Sequence, residues 1–214
     1  MRFTSNTLSK ESTLNPEGAL RNGQFSSVMF TDIVGYTLLV DKNQDLALQV
    51  LAHNRRMQKS LIKFYGGRWV KEMGDGILAT FSSNSAAVSC AQHIQRAAIE
   101  INHLKLRIGI HSGQVFLIDD DVFGIVVNIA SRLQVLANPG QIVVSEEVAR
   151  NIVTSELKPR SIGLKKLKNL KNRVRTFVIE YGQRQPGTVN NKILNSIRIK
   201  IQNVFGSVPI PTNP

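Results

Sequence analysis

Cysteine is nearly absent: Cys90 is the only one in 214 residues, which excludes disulfides and thiolate metal sites as organising features. It falls in an apolar helical pattern and reads as a small core residue. No stretch approaches the roughly 20 continuous apolar residues that a membrane-spanning helix requires. The opening Met1-Arg2-Phe3-Thr4-Ser5-Asn6 lacks the apolar core of a secretory signal, so a cytoplasmic location is expected. Acidic residues are scarce, 15 against 27 Lys and Arg, for a net charge of +12. Such an excess raises nucleic acid or an anionic membrane as partners. Much of it gathers in Lys158, Arg160, Lys165, Lys166, Lys168, Lys171, Arg173 and Arg175, with no matching acid except Glu156. A run of this kind is ordinarily a solvated face, and it can also bind a polyphosphate. No internal repeat is evident.

Residues 1–24 are polar, rich in Ser, Asn and Thr, and carry Pro16 and Gly18, so they read as a flexible leader. One domain is expected over residues 25–182. Residues 183–214 form a basic and apolar tail whose stretch 193–205 fits both a helix and a strand, and its composition allows contact with a membrane surface.

Within the domain, Ser27-Val28-Met29-Phe30 predicts a buried strand, and 44–65 a helix ended by Gly66-Gly67. A hairpin rises through 67–70, turns at Gly74-Asp75-Gly76 and returns through 77–81. A second helix is expected over 85–101. The alternating strand 104–110 leads through His111-Ser112-Gly113 into another short strand at 115–118, and a third helix covers 125–136. A strand at 141–144, a helix capped by Ser145, and strands near 156–162 and 174–181 complete the domain. The order is that of an α+β fold: a ferredoxin-like βαββαβ core, an antiparallel sheet with helices on one face, with additional C-terminal αβ elements.

Two acidic positions carry the functional argument. Asp32 ends the first strand in Phe30-Thr31-Asp32-Ile33-Val34-Gly35-Tyr36-Thr37, and Asp75 sits at the hairpin turn in Lys71-Glu72-Met73-Gly74-Asp75-Gly76. Either alone is most simply a turn former or a helix cap. Together, two carboxylates on neighbouring turns suit hard divalent cations, which take oxygen ligands and leave positions for phosphate oxygens.

With both loops on a ferredoxin-like plan, residues 25–182 resemble the catalytic domain of class III nucleotidyl cyclases, specifically the adenylate cyclases. The motifs that carry the resemblance are FTDIVGYT, KEMGDG, LRIGIHSG and DVFGIVVNIASR. It implies conversion of ATP to 3′,5′-cyclic AMP and pyrophosphate by in-line attack of the ribose 3′-oxygen on the α-phosphorus. It also implies two Mg²⁺ or Mn²⁺ ions per active site, held by Asp32 and Asp75 with help from the backbone carbonyl of Ile33. Arg132 matches the family's transition-state arginine, and Asn128, one helical turn earlier, its ribose-orienting asparagine. Arg107 matches a phosphate-contacting arginine. Lys168 matches the lysine on the terminal phosphates, with Asn169 in place of the usual following glycine. Lys71 and Asp121 match the pair that reads adenine: a lysine donates to N1 and an aspartate accepts from the 6-amino group, the reverse of what guanine offers. Asp121 closes the run Asp119-Asp120-Asp121, and the segment between Gly113 and Asp121 is short for the family.

In the family the site lies between two domains. This chain holds both sets of residues, so the resemblance implies a head-to-tail homodimer with shared active sites. Three alternatives stand beside this one: a cyclase for GTP or a pyrimidine nucleotide, a catalytically silent regulatory module, and a nucleic-acid-binding ferredoxin-like domain. Silent members usually lack a metal aspartate or the arginine, both present here. The strand 104–110 has no aromatic residue on which a base could stack, so no nucleic acid partner is expected.

Overall fold

The computed structural model describes residues 23–152, 157 and 159–181; the expected leader, up to residue 22, and the tail lie outside the described residues. Strand β1 (Gln24–Ile33) is followed by helices α1 (Tyr36–Lys42) and α2 (Gln44–Phe64) and by the hairpin β2 (Arg68–Met73) and β3 (Gly76–Phe81). Then come α3 (Asn84–Ile99), β4 (Leu106–Ile118), β5 (Asp121–Phe123) and α4 (Ile125–Leu136). The last elements are β6 (Ile142–Ser145), α5 (Glu146–Arg150), β7 (Arg160–Lys166) and β8 (Arg173–Ile179). Polar caps start the two long helices: Asn43 accepts from the Leu46 N–H at 3.0 Å and Ser83 from the Ala86 N–H at 3.2 Å. None of the helices among the described residues is long and apolar enough to cross a membrane.

The sheet runs β2-β3-β1-β4-β6-β8-β7, with β5 paired to β4 off this path. Its first four strands keep the ferredoxin-like order, β1 lying antiparallel between β3 and β4. One face packs Met29, Ile77, Ile108 and Ile110 against Met57 and Leu61 of α2 and Ala91 and Ile94 of α3. Cys90 is buried there, as its pattern predicts.

The expectation of helices on one face needs correction. Val126 and Ala130 of α4 pack on Val28, Phe30 and Leu78, and Leu133 and Ala137 pack on Val143 and Val178, so α4 covers the opposite face. Gly109 makes this possible, because a Cβ there would lie 2.1 Å from the Gln134 nitrogen and 2.5 Å from the Ala130 oxygen. The sheet is also mixed, since β6 runs parallel to β4.

Other expectations shift. The two strands expected around His111-Ser112-Gly113 are one continuous strand of 13 residues, because β1 pairs along its length from Leu106 to Val115. The strand expected at 156–162 is β7, Arg160–Lys166, in register with β8. Ser145 does precede α5, but its hydroxyl makes no cap hydrogen bond and instead meets His111 Nδ1 at 2.7 Å. The basic group is better matched by acids than its own segment suggests: Arg160 pairs with Glu180 at 2.9 Å and Arg175 with Glu146 at 3.7 Å.

Candidate active site

The metal-type carboxylates come from two elements that the sheet brings side by side. Asp32 is the penultimate residue of β1, and Asp75 follows Gly74, whose φ of 67° lets β2 turn into β3. The Ile33 N–H donates to Asp75 Oδ2 at 3.0 Å, tying the hairpin tip to the strand end. The support behind them is polar and buried. Thr31 Oγ1 donates to Gln58 Oε1 at 3.0 Å, and Gln58 Nε2 donates to Asn54 Oδ1 at 2.7 Å. The Arg55–Glu72 pair at 2.6 Å braces the hairpin from α2. Burial, with the Asp32 charge second, pushes the Asp75 carboxyl above the usual carboxylate range.

Two crowded carboxylates with a main-chain carbonyl beside them are a donor set suited to a hard divalent ion, which takes one or two carboxylates and completes its shell with water and phosphate oxygens. Among the described residues no group of three or more His, Cys, Asp or Glu gathers to hold an ion alone. In this structure the positive charge at Asp32 comes from Arg107, directly opposite on β4. Its Nε donates to Asp32 Oδ2 at 3.1 Å, and its Nη2 donates to the same oxygen.

Lys71 and Asp121, the pair expected to read the base, also meet. Lys71 Nζ donates to Asp121 Oδ2 at 2.5 Å, while Asp121 Oδ1 accepts from the Val122 N–H at 2.8 Å. The Lys71 hydrogen bond holds the Asp121 carboxyl below the usual carboxylate range. Lys71 lies opposite Leu78, which lies opposite Phe30, so this pair stands two strands away from β1, about 10 Å across the sheet. Leu78 and Phe30, opposite Lys71 across the sheet, pack with the α4 side chain Val126 in one buried cluster.

A third group lies on α4 and the turn beside it. The helix buries Val126, Ala130, Leu133 and Gln134, and 3.6 residues per turn place Asn128 and Arg132 on its outer side, directed away from the sheet that carries Asp32. Asn128 is exposed; Arg132 is half-buried, its Nη1 donating to Ser131 Oγ at 3.1 Å and its Nε buried without a partner. Lys168 is exposed in the β7–β8 turn, and the adjacent Leu167 packs against Leu133 and Ala137, which sets that turn beside α4. Asn169 has a φ of 61°, the left-handed conformation glycine takes most readily and asparagine tolerates.

Each predicted residue therefore falls into one of three groups: Asp32, Ile33, Asp75 and Arg107; Lys71 and Asp121; and Asn128, Arg132 and Lys168. Two features were given no role in the reading of the motifs. Arg68 of β2 reaches Asp120 at 2.8 Å, a partner signalled only by the unexplained acidic run. His111 is buried against Ser145 and lies 3.5 Å from Glu147; burial pushes its imidazole below the usual range and Glu147 opposes the shift.

Sheet order, the arm on β4 and the helix across the second face together define a nucleotide cyclase catalytic domain. The chain belongs to the adenylate and guanylate cyclase catalytic domain family, whose description matches residues 21–181. It is 31% identical to an adenylate cyclase of Streptomyces coelicolor over 137 residues, covering 63% of this chain and 36% of that protein. The crystal structure of an adenylate/guanylate cyclase/hydrolase from Silicibacter pomeroyi is 31% identical, with a TM-score of 0.65 over 74% of this chain and 97% of the other. An adenylate cyclase structure from Trypanosoma brucei in the monomeric state reaches a TM-score of 0.70 at 21% identity, covering 76% of this chain and 92% of that one, a likeness of fold. The chain spans less than two fifths of the length of the Streptomyces coelicolor adenylate cyclase and of other curated relatives, between 17% and 39% in eight of them.

Proposed function

We propose that the chain is an adenylate cyclase, acting as a head-to-tail homodimer in the cytoplasm, that converts ATP to 3′,5′-cyclic AMP and pyrophosphate. The observation that carries the choice of base is the meeting of Lys71 and Asp121, one donor and one acceptor side by side, both partly accessible, complementary to the N1 and 6-amino edge of adenine. Support for the dimer comes from the sheet: Lys71 stands two strands away from Asp32, and Asn128 is exposed on the outer side of α4. One protomer's carboxylates would then work with Lys71, Asp121, Asn128 and Arg132 of a second copy.

Asp32, Asp75 and the Ile33 carbonyl would hold the two divalent ions, which supply a lowered pKa for the 3′-hydroxyl and charge neutralisation on the phosphates. Asn128 orients the ribose so that its 3′-oxygen lies in line with the bond to pyrophosphate. Arg132 offers a planar set of donors to the charge that grows at the α-phosphorus. Lys168 meets the terminal phosphates, and Arg107 exchanges Asp32 for a phosphate oxygen when substrate is bound.

Incubation of the purified chain with each nucleoside triphosphate and Mn²⁺, with products identified by mass, tests the proposal. Cyclic AMP formed at the highest kcat/KM is expected. Preference for GTP or a pyrimidine nucleotide moves the chain to the corresponding cyclase, and no cyclic product from a demonstrated dimer makes it a silent module.

A further inference from the structure

The arm that carries Asp121 is short: β4 turns back into β5 through Asp119 and Asp120, and Ile118 pairs directly with Asp121. Both turn residues have positive φ, 49° and 64°, the conformation a two-residue hairpin demands and a residue with a Cβ adopts at a cost. Strand β5 has three residues and pairs with β4 off the main sheet path, so pairing alone secures it weakly.

Its tip is tied down by β2. Arg68 Nη2 donates to the Asp120 backbone carbonyl and to Asp120 Oδ1, each at 2.8 Å, beside the Lys71–Asp121 contact. Residues three apart on a regular strand point to opposite faces, but β2 is irregular. Trp69 pairs with Ala79 and Lys71 with Leu78, so Val70 is an extra residue taken up in a bulge. Arg68 lies opposite Thr80 and Lys71 opposite Leu78; those partners are two apart on β3 and so share a face. The bulge thus presents two cations to two consecutive carboxylates.

We infer that Arg68 is a positioning residue for base selection, which by clamping Asp120 fixes the arm and thereby the spacing between Lys71 and Asp121. The inference rests on the adenylate cyclase function proposed above. Arg68 acts through Asp120. The pair is solvent-exposed, 39% for Arg68 and 101% for Asp120, and contributes little to global stability, so its removal loosens the arm and leaves the fold intact.

The test compares Arg68→Ala with the wild-type full chain, using kcat and KM for ATP and GTP and hydrogen exchange over residues 116–123. In Arg68→Ala, KM for ATP is expected to rise about fivefold and the ATP-over-GTP ratio of kcat/KM to fall by a similar factor, with kcat within about twofold, the scale of one exposed charged contact. Amides 116–123 should exchange faster. Arg68→Lys, which keeps a donor and the charge, should recover most of the ratio, and Asp120→Asn, which keeps the backbone acceptor, should lose part of it. An unchanged ratio in Arg68→Ala, or an equal fall in kcat with both nucleotides, overturns the positioning role. If the wild-type chain forms no cyclic nucleotide, the proposed function fails, and exchange still decides the clamp: unchanged protection over 116–123 in Arg68→Ala overturns it.

Discussion

Asp75 pays twice for its position, being half-buried and beside the charge of Asp32. Its folded pKa is raised, so its protonated form is the one the fold favours. The corresponding stability is fully present below the ordinary carboxylate pKa, near about 4, and is lost as pH rises through the raised value. Thermal melts of the metal-free chain against pH should therefore show that loss, and Asp75→Asn should remove it. Mn²⁺ should raise the Tm of the wild type at neutral pH and leave Asp75→Asn nearly unmoved. Arg107 gives a second outcome at the same scale. Because its guanidinium occupies Asp32 Oδ2, Arg107→Gln should bind Mn²⁺ more tightly in the absence of nucleotide, measured by titration calorimetry. The same variant should raise KM for ATP about tenfold or more through loss of a charged hydrogen bond. Motifs named both residues in advance, but they could not disclose that Asp32 and Arg107 are partners, because a pairing across β1 and β4 depends on register. Asn169 shows the converse: where the sequence departs from the family's glycine, the residue takes a φ of 61°, a conformation that glycine takes most readily and asparagine tolerates.

Among elements, α4 is the most constrained. It can lie on β4 because Gly109 has no side chain, and the atoms a Cβ would strike are main-chain. Gly109→Ala should destabilise the fold by about 1–3 kcal/mol or more, as overpacking does, measured by urea denaturation. It should also lower kcat, since Arg132 rides on the same helix. The amphipathic pattern of α4 announced one buried face, and the motifs placed Asn128 and Arg132 on one side of the helix. Periodicity alone could not say which face of the sheet receives that buried side, and so helices on a single face were expected. Two further elements were not legible for a different reason: α1 has seven residues and β5 three, shorter than the window over which hydrophobic periodicity registers. The bulge at Val70 is equally hidden, because an extra residue becomes visible only against the partner strand that lacks it.

For the molecule as a whole, the division of site residues into separate groups makes complementation the informative experiment. Asp75→Asn and Arg132→Ala should each be nearly inactive alone, Arg132→Ala by about a hundred- to a thousandfold in kcat. Mixed in equal amounts and allowed to exchange, they should regain about a quarter of wild-type activity, because half of the dimers are hybrids and each hybrid holds one intact site. Recovery to no more than the sum of the two single variants would contradict a shared site.

The strand spacing that sets Lys71 two strands away from Asp32 would also shape how the chain responds to its own abundance. A protomer that cannot complete a site from its own residues makes output depend on encounter. Well below the dimer dissociation constant, product formation would then follow the square of chain concentration, about a hundredfold for a tenfold rise in expression. The order of three strands in one sheet would thus make gene dosage itself a signal.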